Sequence, residues 1–316
     1  MQSIHLNYPI VEGKDSIATV PQVLAIGEFD GIHLGHQEVI KRALQTAKNM
    51  HIPASIMTFH PHPKEVLGQH KYTQLLTPAN EKERILAGMG LDNSYLVAFD
   101  SEFMKVTPEQ FVENMLIPMN VNTVIVGFDF TFGFRGAGTP DTLCELAAGR
   151  FAVEVIRPFL LNGSKVSSTL VREYLQSGQL EEANLLLGRP YTITGTVVTG
   201  DGRGRTIGFP TANIEMSESF VIPTLGVYAA KVNVDGEVHH AVMNVGKKPT
   251  FVEHLDKPTL EAHLFDFSRS IYGSSVTVEF ISFLRPERKF GSVDELITQI
   301  RSDVDRARTI LAEKYS

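Results

Sequence analysis

The chain has 316 residues, 43% hydrophobic and 21% charged, with a formal net charge of −7; it is long enough for two globular domains that each bury a core. Dispersed Lys and Arg on an acidic molecule exclude general adhesion to nucleic acid, so any anion has to be held by a local pocket. No apolar run approaches the ~20 residues of a membrane span, the N-terminus lacks the pattern of a secretory leader, and a single cysteine, Cys144, excludes an internal disulfide framework and suits a cytoplasmic setting.

From the N-terminus to about residue 160, short β-rich runs alternate with amphipathic helical ones. Gln22–Ile26, 54–59, 94–99, 123–126 and 151–156 read as strands, apolar enough for a sheet covered on both faces. Between them, 36–49, 78–89, 107–115 and 141–148 carry apolar residues at helical spacing; Cys144 falls in the last and reads as core filler. Strand alternating with helix predicts a parallel α/β sheet, which binds ligands beyond the carboxyl ends of its strands.

Two short helices come next, 168–176 and Leu180–Leu187, separated by Ser177-Gly178. After Gly188-Arg189-Pro190 the pattern changes: 191–199, Gly226–Val234, 237–245, 259–265 and 275–283 read as strands without intervening helices. Asp235-Gly236 is a two-residue hairpin turn, since both positions accept positive φ. This predicts an antiparallel barrel or sandwich of five or six strands. A helix from Val293 to about Lys314 closes the chain, with a capping box at Ser292 and Glu295 and an apolar stripe along Val293, Leu296, Ile297, Ile300, Val304, Ala307 and Leu311. The expected domain boundary lies near residue 186.

Four segments carry the candidate chemistry. His33-Leu34-Gly35-His36 comes after the first strand, where a helix N-terminus attracts phosphate, glycine admits close approach and imidazoles donate. From spacing alone a plain turn is as good a reading; the βα junction favours function. Gly127 to Gly136 interleaves four phenylalanines with Asp129 and Arg135 after another strand, reading as an aromatic-lined cleft or as core. Ser167-Ser168-Thr169-Leu170-Val171-Arg172 offers a helix cap, with Arg172 one turn on as a bidentate donor to a polyphosphate.

The fourth segment runs from Gly200 to Asn213. A surface loop explains its glycines and arginines but not the uncharged end, where Thr211 and Asn213 present hard oxygen donors suited to Mg²⁺. Glu261, on the strand face opposite Leu260, Ala262 and Leu264, is either a solvent-facing carboxylate or a general base. No GxxxxGK[ST] occurs, and no GxGxxG opens the first helix, so neither standard phosphate loop supplies this chemistry. His60-Pro61-His62-Pro63 lacks the partners of a zinc site.

In order, GEFDGIHLGHQ, TFHPHP, GFDFTFGFRGAGT, SSTLVR, GDGRGRTIGFPTANI, GVYAAKV, NVGKKPTF, LEAHLFDF and RPERKF resemble the prokaryotic bifunctional riboflavin kinase/FMN adenylyltransferase (FAD synthetase) family. The resemblance implies a Rossmann-like α/β nucleotidyltransferase domain over residues 1–185. Over 186–316 it implies a riboflavin kinase domain, a small antiparallel Greek-key β-barrel with a long terminal helix. It assigns Gly27, Phe29, Asp30, His33, Gly35, His36, Asp129, Ser167, Ser168 and Arg172 to ATP in the first domain, with His33, His36 and Arg172 catalytic. Phe59, Pro61 and Pro63 fall to the flavin. In the second domain Gly204, Arg205, Gly208, Pro210, Thr211 and Asn213 fall to ATP, Thr211 and Asn213 to Mg²⁺, and Glu261 becomes the catalytic base. The implied partners are riboflavin, FMN, FAD and ATP as co-substrate, with no nucleic acid, no membrane and no particular oligomeric state. A chain with one silent module, or a flavin-binding regulator without turnover, are the alternatives. His60 departs from the family pattern, which usually carries an acidic residue there.

Overall fold

The computed structural model describes residues 1–10, 20–200, 202–248 and 257–315. They form two compact units, Met1–Ser167 and Ser168–Ser316. The first contains a six-stranded sheet from β1 (Gln2–Leu6), β2 (Gln22–Ile26), β3 (Ala54–His60), β4 (Asn93–Ala98), β5 (Val121–Gly127) and β6 (Ala152–Ile156). Their order is β1-β4-β3-β2-β5-β6 and every pairing is parallel.

Side chains alternate across a strand, so β2 serves two cores. Leu24 and Ile26 pack on one face with Phe111, Val112, Met115 and Leu143. Val23 and Ala25 pack on the other with Val39, Ile40, Ala43 and Ala47. Those last four belong to α1 (Leu34–Met50). The remaining helices of this unit are α2 (Pro63–Val66), α3 (Ala79–Gly88), α4 (Pro108–Phe111) and α5 (Pro140–Ala147). From β2 the chain builds outward through β3 and β4, and from β5 in the opposite direction to β6. The sheet therefore has its switch point between β2 and β5, where a parallel α/β sheet opens a crevice.

Several expectations need correcting. Edge strand β1 lies outside the expected strands, although Ile4 and Leu6 alternate inward as a half-buried strand requires. The predicted helix over 107–115 is one α-helical turn, α4, continued by a π-helical turn at Val112–Leu116. Cys144 is exposed on α5, whose buried residues are Leu143 and Ala147, so it fills no core.

The first unit ends with a small hairpin, β7 (Leu160–Leu161) and β8 (Ser164–Lys165). The second unit begins with α6 (Ser168–Ser177) and α7 (Leu180–Leu187), so by contact these helices group with the barrel strands. Asn184 ties α7 to the barrel: Nδ2 donates to Phe280 O at 2.9 Å and Oδ1 accepts from Tyr191 N at 2.7 Å.

The barrel comprises β9 (Tyr191–Val198), β10 (Ala212–Met216), β11 (Gly226–Val234), β12 (Glu237–Lys248), β13 (Lys257–Leu264) and β14 (Ser275–Pro286), with a short α8 (Arg203–Thr206) between β9 and β10. It closes in the order β10-β13-β12-β11-β14-β9, with antiparallel pairings throughout. Strand β10, which supplies the closure, is absent from the expected strands. Its Asn and Glu hide the alternation that β11 shows openly. At the predicted hairpin, Asp235 and Gly236 have φ of 53° and 89°.

The terminal helix α9 (Val293–Tyr315) lies on the outer barrel face, where Ala307 and Leu311 pack on Val227, Ala229, Ile281 and Leu284. Val293 is exposed, so the expected stripe docks only through its later half. The cap is also half as expected. Ser292 Oγ accepts from Glu295 N at 3.2 Å, but the Glu295 carboxylate turns to Gly291 N at 2.9 Å. Buried Asp303 anchors the middle of the helix through a forked contact to Arg285, with Oδ2 2.8 Å from Nη2.

Closure depends on a missing side chain. A Cβ on Gly195 of β9 would lie 2.4 Å from Glu215 O and 2.7 Å from Ile214 Cγ2 of β10. Gly195→Ala is expected to destabilise the fold by about 2 kcal/mol through overpacking at this seam, read as a lower urea midpoint with unchanged slope.

Candidate active sites

The loop leaving β2 is held by buried polar contacts before any ligand arrives. Asp30, 2% exposed, accepts at Oδ1 from Leu76 N at 2.8 Å and Thr77 N at 3.1 Å. Gly31 N donates to Thr77 Oγ1 at 2.8 Å. Buried Lys82 donates from Nζ to Glu28 O at 2.8 Å and to Thr58 Oγ1 at 3.2 Å. Phe29 and Ile32 take φ of 50° and 40°, an αL geometry that such a network must enforce. Asp30 thus shapes the loop from inside it.

His33 is the N-cap of α1, and its Nδ1 accepts from His36 N at 3.2 Å. The two imidazoles stack at 3.7 Å between centroids and 15° between planes, and His36 meets the edge of Phe29 at 5.3 Å. Gly35 allows this, because a Cβ there would lie 3.2 Å from His33 Cε1. Gly27 likewise lies against the Phe29 ring, 3.2 Å from where its Cβ would be. Burial pushes the His33 imidazole down to about 4, against the charges of Asp30 and Asp129 and with the help of Lys165. His33 is therefore neutral at pH 7. With Nδ1 accepting, the ring proton belongs on Nε2, a neutral donor beside the N-terminus of a 17-residue helix.

Across the switch point, β5 leads into Asp129, whose Oδ2 accepts from Lys165 Nζ at 2.7 Å. Lys165 also lies over the Phe128 ring at 4.3 Å. Of the four phenylalanines here, Phe132 is core, Phe130 stacks on it at 5.6 Å, and Phe128 and Phe134 are exposed. The core reading thus holds for Phe132 and not for Phe128 or Phe134. Phe59 at the end of β3 packs against the same core, 5.7 Å from Phe103, which leads through Phe111 at 6.2 Å to Phe132.

Beyond Phe59, Pro61 is exposed and Pro63 opens α2. His62 between them is buried, caps α2 by accepting from Lys64 N at 3.2 Å, and stacks on Tyr72 at 4.6 Å. Its Nε2 lies 3.1 Å from Glu28 Oε2, an ion-pair distance, although not on the line of a straight hydrogen bond. Lys64 Nζ reaches the same oxygen at 3.4 Å. Burial opposes ionisation of Glu28, but His62 and Lys64 outweigh it and hold the carboxyl below its ordinary range.

The Ser167–Arg172 segment contains the chain division between the two units. Ser167 ends the first, and α6 begins the second at Ser168 with Arg172 buried on it.

On the barrel, β13 alternates strictly: Leu260, Ala262 and Leu264 are buried while Thr259, Glu261 and His263 face outward and are half-buried. Register sets Glu261 opposite Asn213 of β10 on one side and Asn244 of β12 on the other. The Asn213 side chain lies on Gly200, whose added Cβ would fall 2.1 Å from its Nδ2. Gly204 of α8 is equally constrained, 2.3 Å from Phe209 O and 3.4 Å from Thr211 Oγ1 at its absent Cβ. Gly208 turns with φ +87°. Pro210 O is 2.8 Å from His263 Nδ1, which secures the segment beside β13. Thr211, Asn213 and Glu261 thus lie along one polar edge of the barrel, with Gly204 beside Thr211; Arg205 and Pro210 are exposed. Asp201 of the glycine loop and Pro249-Thr250-Phe251 of NVGKKPTF lie outside the described residues.

Sequence reasoning overlooked four residues. Lys165 lies two residues before Ser167, and its position after Asn162-Gly163-Ser164 is a hairpin signal. Asn244 sits in the quoted NVGKKPTF, but only register puts it beside Glu261. Glu28 and His62 are 34 residues apart in sequence, and only adjacent strand ends bring them together.

Residues 16–170 match the family model described as FAD synthetase, and residues 187–311 the one described as riboflavin kinase. The chain is 42% identical to the bifunctional riboflavin kinase/FMN adenylyltransferase of Bacillus subtilis, covering 97% of each. It is 42% identical to that of Listeria monocytogenes over 99% of each chain, and 37% identical to that of Escherichia coli K12 over 95% of this chain and 96% of the relative. A solved structure described as a macrolide-efflux protein from Streptococcus pneumoniae superposes with a TM-score of 0.87 at 33% identity, covering 96% of this chain and 99% of that one. Among the described residues no helix is long and apolar enough to cross a membrane.

His33 supplies a pH test. Its neutral form contributes stability that is complete above 6.5, the ordinary imidazole value, and is lost as pH falls towards about 4, because the unfolded chain takes up the proton first. In a histidine NMR titration its ring signals should stay constant down to pH 5; an ordinary midpoint near 6.5 would refute the buried neutral donor.

Proposed function

Because this chain belongs to the bifunctional riboflavin kinase/FMN adenylyltransferase family, we propose that it carries riboflavin through two ATP-dependent transfers at two separate edges of its fold. The barrel module phosphorylates riboflavin to FMN; the α/β module adenylylates FMN to FAD and releases pyrophosphate. We assign these to residues 186–316 and 1–185. The supporting observation is the charge arrangement at the β2–β5 switch point, where neutral His33, Asp129 and Lys165 act on one another beside a helix N-terminus.

In the adenylyl reaction a phosphate oxygen of FMN attacks the α-phosphorus of ATP. The bond to the β,γ-diphosphate breaks, and pyrophosphate leaves with the electron pair. The nucleophile is already anionic, so no base is needed; negative charge growing on the phosphoryl oxygens must be met by donors. In this proposal His33 Nε2–H and His36 meet it, with the open backbone at Gly27, Phe29 and Gly35 admitting the phosphates. Asp129 contacts the nucleotide, and Ser167, Ser168 and Arg172 hold the polyphosphate. Lys165 is added as a cation held ready by Asp129. Phe59, Pro61 and Pro63 flank the isoalloxazine ring.

In the kinase reaction the ribityl 5′-hydroxyl attacks the γ-phosphorus. A hydroxyl is a weak nucleophile, and Glu261 is proposed to accept its proton as the bond to ADP breaks. Gly204, Arg205, Gly208 and Pro210 cradle the nucleotide. Thr211 and Asn213 are hard oxygen donors that fit Mg²⁺, which commonly relies on few protein ligands and on substrate phosphates. When bound with ATP, the ion neutralises phosphate charge. We place both reactions in the cytoplasm.

Incubation with riboflavin, ATP and Mg²⁺ should yield FMN and then FAD by chromatography, and folded protein producing neither would refute the reading. Glu261→Gln should slow FMN formation by about 100-fold or more while leaving FAD formation from supplied FMN unchanged. If FMN still accumulates at the wild-type rate, the base is another group.

A further inference from the structure

We propose that Glu28 is a positioning residue for the flavin in the adenylyl reaction, acting through His62 rather than on the substrate itself. The proposal rests on the assignment of Pro61 and Pro63 to the flavin site. The backbone of Glu28 is already fixed: its carbonyl accepts from Lys82 Nζ at 2.8 Å and from Thr58 Oγ1 at 3.2 Å. The placement of the nucleotide loop therefore does not depend on the Glu28 side chain. That side chain is spent on the other substrate's turn, where Oε2 lies 3.1 Å from His62 Nε2 and 3.4 Å from Lys64 Nζ.

His62 stands between Pro61 and Pro63, and three contacts define its ring: Glu28 at Nε2, Lys64 N at Nδ1, and the face of Tyr72. Lys64 also lies 5.1 Å over the Tyr72 ring, so the carboxylate, imidazole, ammonium and phenol form one closed group. An exposed ion pair in such a place contributes little. Here the His62 side chain is only 2% exposed, so the His62 end of the 3.1 Å contact is shielded from water, and the contact acts on the ring together with the Nδ1 cap and the Tyr72 stack. Neither proline donates a backbone hydrogen bond. The backbone holds the turn where Phe99 N donates to His60 O at 2.9 Å and where α2 begins on His62 O; between the two prolines His62 is the side chain that fastens it inward, and Glu28 is the charged group on that ring.

This predicts a split that general destabilisation does not produce. Glu28→Gln should raise the KM for FMN in FAD formation by about tenfold, with kcat and the KM for ATP within about twofold of wild type. His62→Asn keeps a residue able to cap α2 but removes the Glu28 contact. It should raise the same KM by a similar factor, and the double variant should add little more. Glu28→Asp, which keeps the charge, should fall between Glu28→Gln and wild type. A kcat and a KM for ATP near wild type in FAD formation report that the α/β unit is folded, while FMN formation from riboflavin by the same samples reports on the barrel unit. If wild-type protein makes FAD but Glu28→Gln, still active in FMN formation, keeps the wild-type KM for FMN, the inference alone is wrong. Equal losses in both KM values and kcat would also overturn it. Wild-type protein that makes no FAD would instead remove the adenylyl assignment, and the inference with it.

Discussion

A parallel strand that stops at the edge of its sheet leaves backbone groups that nothing in the ladder can pair. At β2 this requirement governs much of the surrounding architecture. Lys82 and Thr58 take the Glu28 carbonyl, Asp30 takes two N–H groups from the Leu76-Thr77 loop, and His33 caps the next helix. A helix N-terminus thereby stands rigidly at the mouth of the β2–β5 crevice. Site geometry and fold closure are at this point the same set of hydrogen bonds.

The same economy sets the protonation state of His33. Capping consumes Nδ1, and burial disfavours the cation, so the ring becomes a fixed neutral donor. A charged imidazole would attract phosphate more strongly before reaction. In the role proposed for His33, a neutral donor held in place responds chiefly to charge that develops during transfer, which is where stabilisation accelerates a step.

The barrel meets its constraint differently. Closing six short strands brings backbones into near contact, and glycine supplies the clearance at Gly195, while Gly200 and Gly204 let Asn213 and the Phe209 carbonyl settle against the loop. The outcome is a ladder in which Asn213, Glu261 and Asn244 stand in register on the outer face, away from the apolar interior. The two proposed phosphate sites thus share no motif: one is a capped helix, the other a glycine loop beside a strand edge.

Apolar period and chain order suffice for the parallel sheet and most barrel strands, because Gln22–Ile26 and Gly226–Val234 state their burial openly in five to nine residues. The local setting of His33, His36, Thr211 and Asn213 is legible for a related reason: each lies within a few residues of the turn or glycine it packs against. Strand β10, the capping of α9 and the exposure of Cys144 are not, since each depends on which neighbour arrives in space. The pairings of Glu28 with His62, of Asp129 with Lys165 and of Glu261 with Asn244 belong wholly to the tertiary structure. Local sequence determines what a side chain can do; only strand order and register, set by burial across the whole sheet, determine what it meets.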